Sequence, residues 1–133
     1  MIINLTQHQA SAEQHAAGVV DPTPEEKTEI VGLLTFDLLP ESGEVACRAL
    51  RLATLAAGLT WGPLPDGGEG VREGTRIMIG GAPYLMAPLE KELRSWGLIP
   101  VYAFSVRESV ETTDPDGTVR KSTVFRHRGF VEA

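Results

Sequence analysis

Three short, mainly apolar runs divide the chain into repeating units. They are MIINL at residues 1–5, TRIMIG at residues 75–80 and LIPVYAF at residues 98–104. Apolar runs of this length are typical of strands that are buried on both faces of a parallel sheet. Segments with helix-start signals separate them, as parallel connections require. The pattern predicts a single domain over residues 1–133, a small Rossmann-like α/β fold with a mainly parallel sheet.

The segment after the first run contains a helix-start signal. Ser11 and Gln14 have the spacing of a capping box, which predicts a helix from about Ala12 that stops near Gly18. The apolar pair that follows, in VVD at residues 19–21, predicts a second, brief strand.

Two longer helices are predicted next, followed by a loop. Thr23 can cap a helix that has Pro24 at its first position, and Ser42 begins another helix that ends near Gly58. Residues 59–74 are rich in glycine and contain two prolines, which predicts a loop.

The last helix is predicted over GAPYLMAPLEKELRSWG, between the second and third apolar runs. Leu85, Leu89, Leu93 and Trp96 recur at helical spacing, so these side chains are expected to face the core. Pro88 lies inside this segment and is expected to kink the first half of the helix.

The C-terminal segment has the pattern of an antiparallel hairpin that extends the sheet. The turn is DPDG at residues 114–117, which suits a type I turn with a bulge. A three-residue loop would pair Glu111 with Lys121, whereas a four-residue loop would pair Glu111 with Arg120.

Strand alternation divides the first half of this hairpin into an apolar and a polar face. Phe104, Val106 and Val110 share one face, and Ser105 and Arg107 lie on the other with Ser109 and Glu111. An arginine beside a hydroxyl can clamp a phosphate, because guanidinium binds two oxygens at once. A solvent-facing strand is the alternative interpretation.

Charge is distributed unevenly along an acidic chain. The formal net charge is -6, but residues 94–128 carry six Lys or Arg against four acids. The acidic body disfavours binding of long nucleic acid, and a local basic zone suits a small anionic ligand. The alternative is a solvated hairpin face.

The remaining composition points to a cytoplasmic protein. One cysteine, Cys47, allows no disulfide within the chain, and its place in a predicted helix favours a buried structural thiol. No apolar run reaches the 18 residues of a membrane span, so no membrane association is expected.

Two loops follow predicted strands at the edge of the sheet where ligands of open α/β proteins bind. The first is Thr6-Gln7-His8-Gln9 and the second is Gly80-Gly81-Ala82-Pro83, which also begins a helix. Free backbone N–H groups and the helix dipole make the second loop a candidate anion site. Close backbone packing also explains a Gly-Gly pair. The loop lacks the dinucleotide-binding and P-loop spacings.

His8 is the candidate for proton transfer or for binding a phosphate oxygen, and a loop histidine bonded to backbone is the alternative. His15 is predicted on an exposed helix face. No metal-ligand spacing with Cys or acids is found for His8, His15 or His127, so no metal and no cofactor is predicted.

The string GLIPVYAFSVRESVE…PDGTVRKSTVFRHRGF, together with NLTQHQASAEQ, resembles the small stand-alone CRISPR-associated ring nucleases related to the CARF domain. The resemblance covers about half of the chain and leaves the middle, about residues 20–70, unassigned. It implies a homodimeric CARF-like fold that binds cyclic oligoadenylate, with tetra-adenylate favoured. The implied reaction is metal-independent attack by the ligand's own 2′-OH, which would switch off type III CRISPR signalling.

The resemblance also implies roles for individual residues. His8, Ser105 and Arg107 would be catalytic; the ligand contacts would be Thr6, Gln7, Gly80, Gly81, Ala82 and Arg126. The chain departs from the family pattern at Phe104, where a hydroxyl is expected, and at Pro83 after the Gly-Gly pair. These departures affect the catalytic assignment, and a non-catalytic sensor or sponge of the same fold is the alternative.

A third hypothesis is an accessory protein whose hairpin pairs with a partner.

Overall fold

A computed structural model describes residues 1–133. Its elements in chain order are β1 (Ile2–Asn4), α1 (Ala12–Ala16), β2 (Val19–Val20), α2 (Pro24–Leu34), α3 (Glu44–Leu59), β3 (Trp61–Pro63), β4 (Glu69–Val71), β5 (Arg76–Met78), α4 (Pro83–Ser95), β6 (Ile99–Thr113) and β7 (Val119–Glu132).

Five of the strands form one sheet in the order β2-β1-β5-β6-β7. The pairs β1–β2, β1–β5 and β5–β6 are parallel, and β6–β7 is antiparallel. The predicted mixed α/β fold, with a mainly parallel sheet and a C-terminal antiparallel pair, is confirmed.

The core is divided by the sheet into a large and a small cluster. The large cluster joins Ile3, Leu5, Ile77 and Ile79 of the sheet to buried side chains of α2, α3 and α4. The small cluster on the opposite face consists of Ile2, Val19, Met78 and Val101. Both faces of β1 and β5 are therefore buried, which explains why their sequences are apolar without alternation.

Two helix starts follow the predicted caps, whereas α3 has Gly43 instead of Ser42 before its first residue and no side-chain cap. Ser11 and Thr23 each form a complete capping box, with Gln14 and Glu26 as the reciprocal partners. No helix has the length and apolar composition needed to cross a membrane.

The prediction for α4 is confirmed at three positions and wrong at the fourth. Leu85, Leu89 and Leu93 are buried, but Trp96 is 38% exposed. The helix ends at Ser95 and Trp96 is its C-cap residue, so the helical spacing no longer determines where this side chain points.

Residues 59–74 are not the loop that their glycine content predicted. They contain the last residue of α3 and a small antiparallel hairpin in which Trp61 pairs with Val71 and Pro63 pairs with Glu69. The glycine signal belongs to the turn of this hairpin, where Gly67 has a φ of 93°.

Cys47 is exposed, so the prediction of a buried thiol is wrong. The buried face of α3 is formed by Ala49, Leu52, Ala53 and Ala56. Helical geometry places Cys47 on the far side of the helix from these residues.

β6 and β7 form a long hairpin, and the part that extends beyond the body of the sheet, residues 104–128, is called the arm. Glu111 pairs with Lys121, so the hairpin has the three-residue loop, one of the two registers that the sequence left open. Their side chains form an ion pair of 3.6 Å. A register shift at Phe104/Ser105 leaves Arg128 as the extra residue of a β-bulge.

Candidate functional site

A cleft of about 380 Å³ opens at the carboxyl ends of β1 and β5. It is lined by residues 6–9, residues 78–81, residues 102–103 and Gln14, so it brings both predicted loops together. The chain leaves β1 toward β2 on one side and later returns to β5 on the other. The cleft therefore lies at the topological switch point, where ligands of open α/β sheets bind.

The cleft differs from the other surface cavities in its charge. None of its lining residues is an aspartate, glutamate, lysine or arginine. Four other cavities each contain at least one carboxylate, from Asp21, Glu26, Asp37 or Asp66 among others. In a chain of net charge -6, this cleft repels an anion less than those four cavities do.

The first loop of the cleft is held by Asn4, whose side chain is fully buried. Its amide nitrogen donates to the carbonyl oxygen of His8 and to Asp21 Oδ1, both at 2.7 Å. Its amide oxygen accepts from the backbone N–H and the hydroxyl of Thr6, at 2.9 and 2.7 Å. One side chain therefore closes the turn that presents Thr6 and His8 to the cleft.

Lys27 of α2 reinforces the same loop. Its ammonium donates to the carbonyl oxygens of Thr6 at 2.6 Å and His8 at 2.8 Å. Burial lowers the pKa of Lys27, and the charge of Asp21 partly offsets this shift. The ammonium places a positive charge behind the loop without lining the cleft itself.

Asp21 completes this arrangement as the carboxylate between several donors. Burial alone would raise the pKa of Asp21, but hydrogen bonds from Asn4 and Ala10 and the charges of His15 and Lys27 lower it below 3.8. His15, which is exposed as predicted, lies 3.2 Å from Asp21 through Nε2. Its Nδ1 is 3.0 Å from the carbonyl oxygen of Val19.

The lowered pKa of Asp21 predicts a specific loss of stability in acid. A carboxyl with a depressed folded pKa stabilises the fold fully above its ordinary pKa of 3.8 and loses that contribution as the pH falls through the folded value. At pH 5 the urea midpoint of wild type should therefore be higher than that of Asp21→Asn. The difference between the two midpoints should shrink toward about pH 2. Asp37→Asn is the control, because the Asp37 carboxylate is exposed. A constant difference between wild type and Asp21→Asn would contradict the prediction.

The second loop presents unpaired backbone donors. The N–H groups of Gly80, Gly81, Ala82 and Tyr84 donate no hydrogen bond within the chain. Ala82 is the N-cap of α4 and provides no side-chain cap. It lies at the helix start, next to the part of the loop that lines the cleft. These donors and the positive end of the helix dipole suit an anionic group.

Gly81 is required by the backbone of this loop. Its φ is 151°, and a Cβ there would meet Met86 Cε at 3.5 Å and Leu34 Cδ2 at 3.7 Å. Because those contacts are ordinary, the cost of a side chain comes from the backbone conformation. Gly81→Ala is expected to lower the free energy of unfolding by about 1–3 kcal/mol in urea denaturation.

The control for Gly81 is Gly58→Ala in the last turn of α3. Gly58 has an ordinary helical φ and nothing within 4 Å of an added Cβ. This substitution should raise the free energy of unfolding by about 0.5–1 kcal/mol. Equal effects of the two alanines would show that the conformation of Gly81 carries no cost.

The predicted site residues of the two loops meet in the cleft. Thr6, Gln7, His8, Gly80 and Gly81 all line it. The His8 side chain is exposed and its ring makes no hydrogen bond. Only its backbone carbonyl is bonded; it accepts from the side chains of Asn4, Thr6 and Lys27. The imidazole is therefore free to act on a ligand.

The predicted residues of the arm lie outside the cleft of their own chain. Ser105 and Arg107 share one face of β6, as predicted, with Ala103 of the cleft lining. Arg107 is four residues beyond Ala103, or about 13 Å along the strand. Arg126 bonds Glu108 at 3.1 Å and lies 3.8 Å from Glu13, so its guanidinium is already engaged by carboxylates.

Sequence reasoning missed Asn4, Asp21, Lys27 and Tyr102. A polar residue inside the run MIINL was a signal for Asn4, because a buried amide needs partners. Tyr102 lines the cleft and donates to Glu90 at 2.9 Å. Burial and this hydrogen bond raise its pKa to about 12, so the phenol stays protonated at neutral pH.

No group of three or more His, Cys, Asp or Glu is arranged to hold a metal ion.

The fold and the cleft define an α/β protein with a cleft at the switch point of a mainly parallel sheet. A model of the Uncharacterized protein MJ1673 family matches residues 66–131, which is just under half of the chain. The chain is similar to that family from the turn of the β3–β4 hairpin through the arm. No curated protein and no solved structure matches the chain.

Proposed function

We propose that the protein binds a cyclic oligoadenylate in the cleft and cleaves it. The observation that carries this proposal is the cleft itself. It lies at the switch point between β1 and β5, has no carboxylate in its lining, and has unpaired N–H groups at the start of α4. A phosphodiester is an anion that such donors would bind.

The fold behind this proposal is a small Rossmann-like, CARF-like domain. Its support is the strand order β2-β1-β5-β6, in which the chain moves outward from β1 in both directions. The resemblance of the first loop and of the C-terminal segment to ring nucleases selects cyclic oligoadenylate among anionic ligands. The same resemblance implies a role in ending type III CRISPR signalling in the cytoplasm.

The proposed reaction is transesterification within the ligand. The 2′-OH of one ribose attacks the adjacent phosphorus, the bond from phosphorus to the 5′-oxygen breaks, and a 2′,3′-cyclic phosphate remains. The 2′-OH proton goes to a base, and the departing 5′-oxygen gains a proton. His8 is the cleft's candidate base, and Thr6 has a hydroxyl that can orient the 2′-OH.

The protein's main contribution would be positioning and charge stabilisation. The unpaired N–H groups of Gly80, Gly81 and Ala82, at the positive end of α4, would stabilise the charge that grows on the phosphate. The nucleophile and the leaving group both belong to the ligand, so this route asks for no metal-bound water.

The size of the cleft supports a homodimer. A cavity of about 380 Å³ is at the lower end of small-molecule sites. It would hold part of a tetra-adenylate ring, and the cleft of a second copy would hold the rest.

The test is incubation of the purified protein with cyclic tri-, tetra- and hexa-adenylate in the presence of EDTA, followed by liquid chromatography and mass spectrometry. Linear products ending in a 2′,3′-cyclic phosphate are expected, with the tetra-adenylate cut fastest. Absence of both cleavage and binding would overturn the proposal.

A second candidate is a sensor or sponge that binds the ring without cutting it. The position of Ser105 and Arg107 favours it, because neither lines the cleft of its own chain. Intact ring that co-elutes with the protein on size exclusion would establish this candidate and exclude turnover.

A further inference from the structure

The arm contains one cation that no carboxylate engages. The other four basic residues are paired: Arg120 with Asp114 at 2.9 Å, Lys121 with Glu111 at 3.6 Å, and Arg126 and Arg128 with Glu108 at 3.1 and 2.7 Å. The guanidinium of Arg107 instead lies 5.6 Å from the ring centroid of Phe125, its cross-strand neighbour. Its charge is therefore available to a ligand.

Phe125 is exposed in an unusual setting for an apolar side chain. It is 65% exposed, and its face of the arm also presents Ser105, Ser109 and Thr123. The half-buried apolar residues of the arm lie on the opposite face; they are Val106, Val110 and Val124. Phe125 is therefore not part of the packing that stabilises the hairpin.

This combination suits a nucleobase better than a protein partner. The core of a protein interface is a cluster of apolar side chains, whereas Phe125 shares its face with hydroxyl side chains, the Arg107 guanidinium and the His127 ring. A base has two π faces and polar edges. It can stack on an aromatic ring or a guanidinium plane while its edges bond to hydroxyls.

The Phe125 face of the arm is continuous with the cleft. Ala103 lines the cleft, and Ser105 and Arg107 follow it on the same face of β6. The separation of about 13 Å between Ala103 and Arg107 lets a ligand held at the cleft extend a base along the arm.

We propose that Arg107 and Phe125 form a stacking platform for an adenine base of the ligand. This inference rests on the proposed function, since the cleft must first hold the phosphodiester. In this arrangement Arg107 contacts the base and contributes positive charge. It does not bind the phosphate that is held at the start of α4.

The experiment is titration of wild type with cyclic tetra-adenylate by calorimetry, repeated with Phe125→Leu. Loss of one stacked base should weaken binding by about 5- to 100-fold. Phe125→Trp, which keeps a π face, should bind at least as tightly as wild type. A linear tetra-adenylate with 2-aminopurine at one position should lose fluorescence on binding wild type and lose less on binding Phe125→Leu.

The matched control is Phe104→Leu. Phe104 is also on the arm and 51% exposed, but it lies on the other face of β6. This variant should bind within about twofold of wild type.

The outcomes separate the two proposals. If wild type binds no oligoadenylate, the proposed function fails and the platform with it. If wild type binds and Phe125→Leu binds equally well, the platform is overturned and the proposed function stands. If Phe104→Leu weakens binding as much as Phe125→Leu does, the effect comes from damage to the arm and the platform is overturned.

Discussion

Asn4→Leu is expected to lower the free energy of unfolding by about 3–5 kcal/mol. Leucine has a similar volume, so the loss comes from polar groups and not from a cavity. The Asn4 amide makes four hydrogen bonds, to His8, Asp21 and twice to Thr6. Leucine at this fully buried position would leave these groups without their hydrogen-bond partner. Urea denaturation followed by circular dichroism measures the change.

The same substitution should remove ligand binding, because the turn that presents Thr6 and His8 would lose its closing contacts. Gln7→Leu is the control, since Gln7 is exposed and its side chain makes one hydrogen bond, to Thr35 at 3.2 Å. It should change stability by less than about 1 kcal/mol. A loss below about 1 kcal/mol in Asn4→Leu would show that the loop does not depend on this amide.

His8→Ala is expected to lower the turnover of cyclic tetra-adenylate by about 10²- to 10⁴-fold, the usual contribution of a positioned general base. The ring makes no hydrogen bond within the chain, so its removal should leave the fold intact. Binding should change by less than about tenfold, because the phosphate would be held mainly by backbone donors. Single-turnover cleavage and calorimetry measure the two effects separately.

The control for His8 is His15→Gln. His15 lies outside the cleft lining, and glutamine keeps a hydrogen-bonding group beside Asp21. Its turnover should match wild type. Unchanged turnover in His8→Ala would mean that the 2′-OH proton goes to water or to a group of a second copy.

Local signals in the sequence were reliable where short-range chemistry decides the structure. Ser11 forms the predicted capping box, Thr23 is the predicted cap, and Asp114–Gly117 is the predicted turn. Leu85 and Leu89 are buried because helical spacing alone determines their face.

The errors arose where packing overrides a local signal. Cys47 looked like a core residue by its type, but the orientation of α3 is determined by the alanine-rich face that packs on α4. Residues 59–74 looked like a loop by composition. Antiparallel pairing of Trp61 with Val71 made them a hairpin, and such pairing depends on contacts that glycine counts do not report.

The sequence by itself determined the fold class, the two loops at the sheet edge and the position of the arm's turn, because apolar runs, caps and turn residues act over a few positions. The structure decided between the two registers that this turn allowed. Only the tertiary structure decided that Asn4, Asp21 and Lys27 hold the first loop, and that Arg107 lies outside the cleft beside Phe125. These arrangements join residues that are 17 to 21 positions apart or that lie on opposite strands. Their distances depend on how the sheet and helices pack, which no local pattern contains.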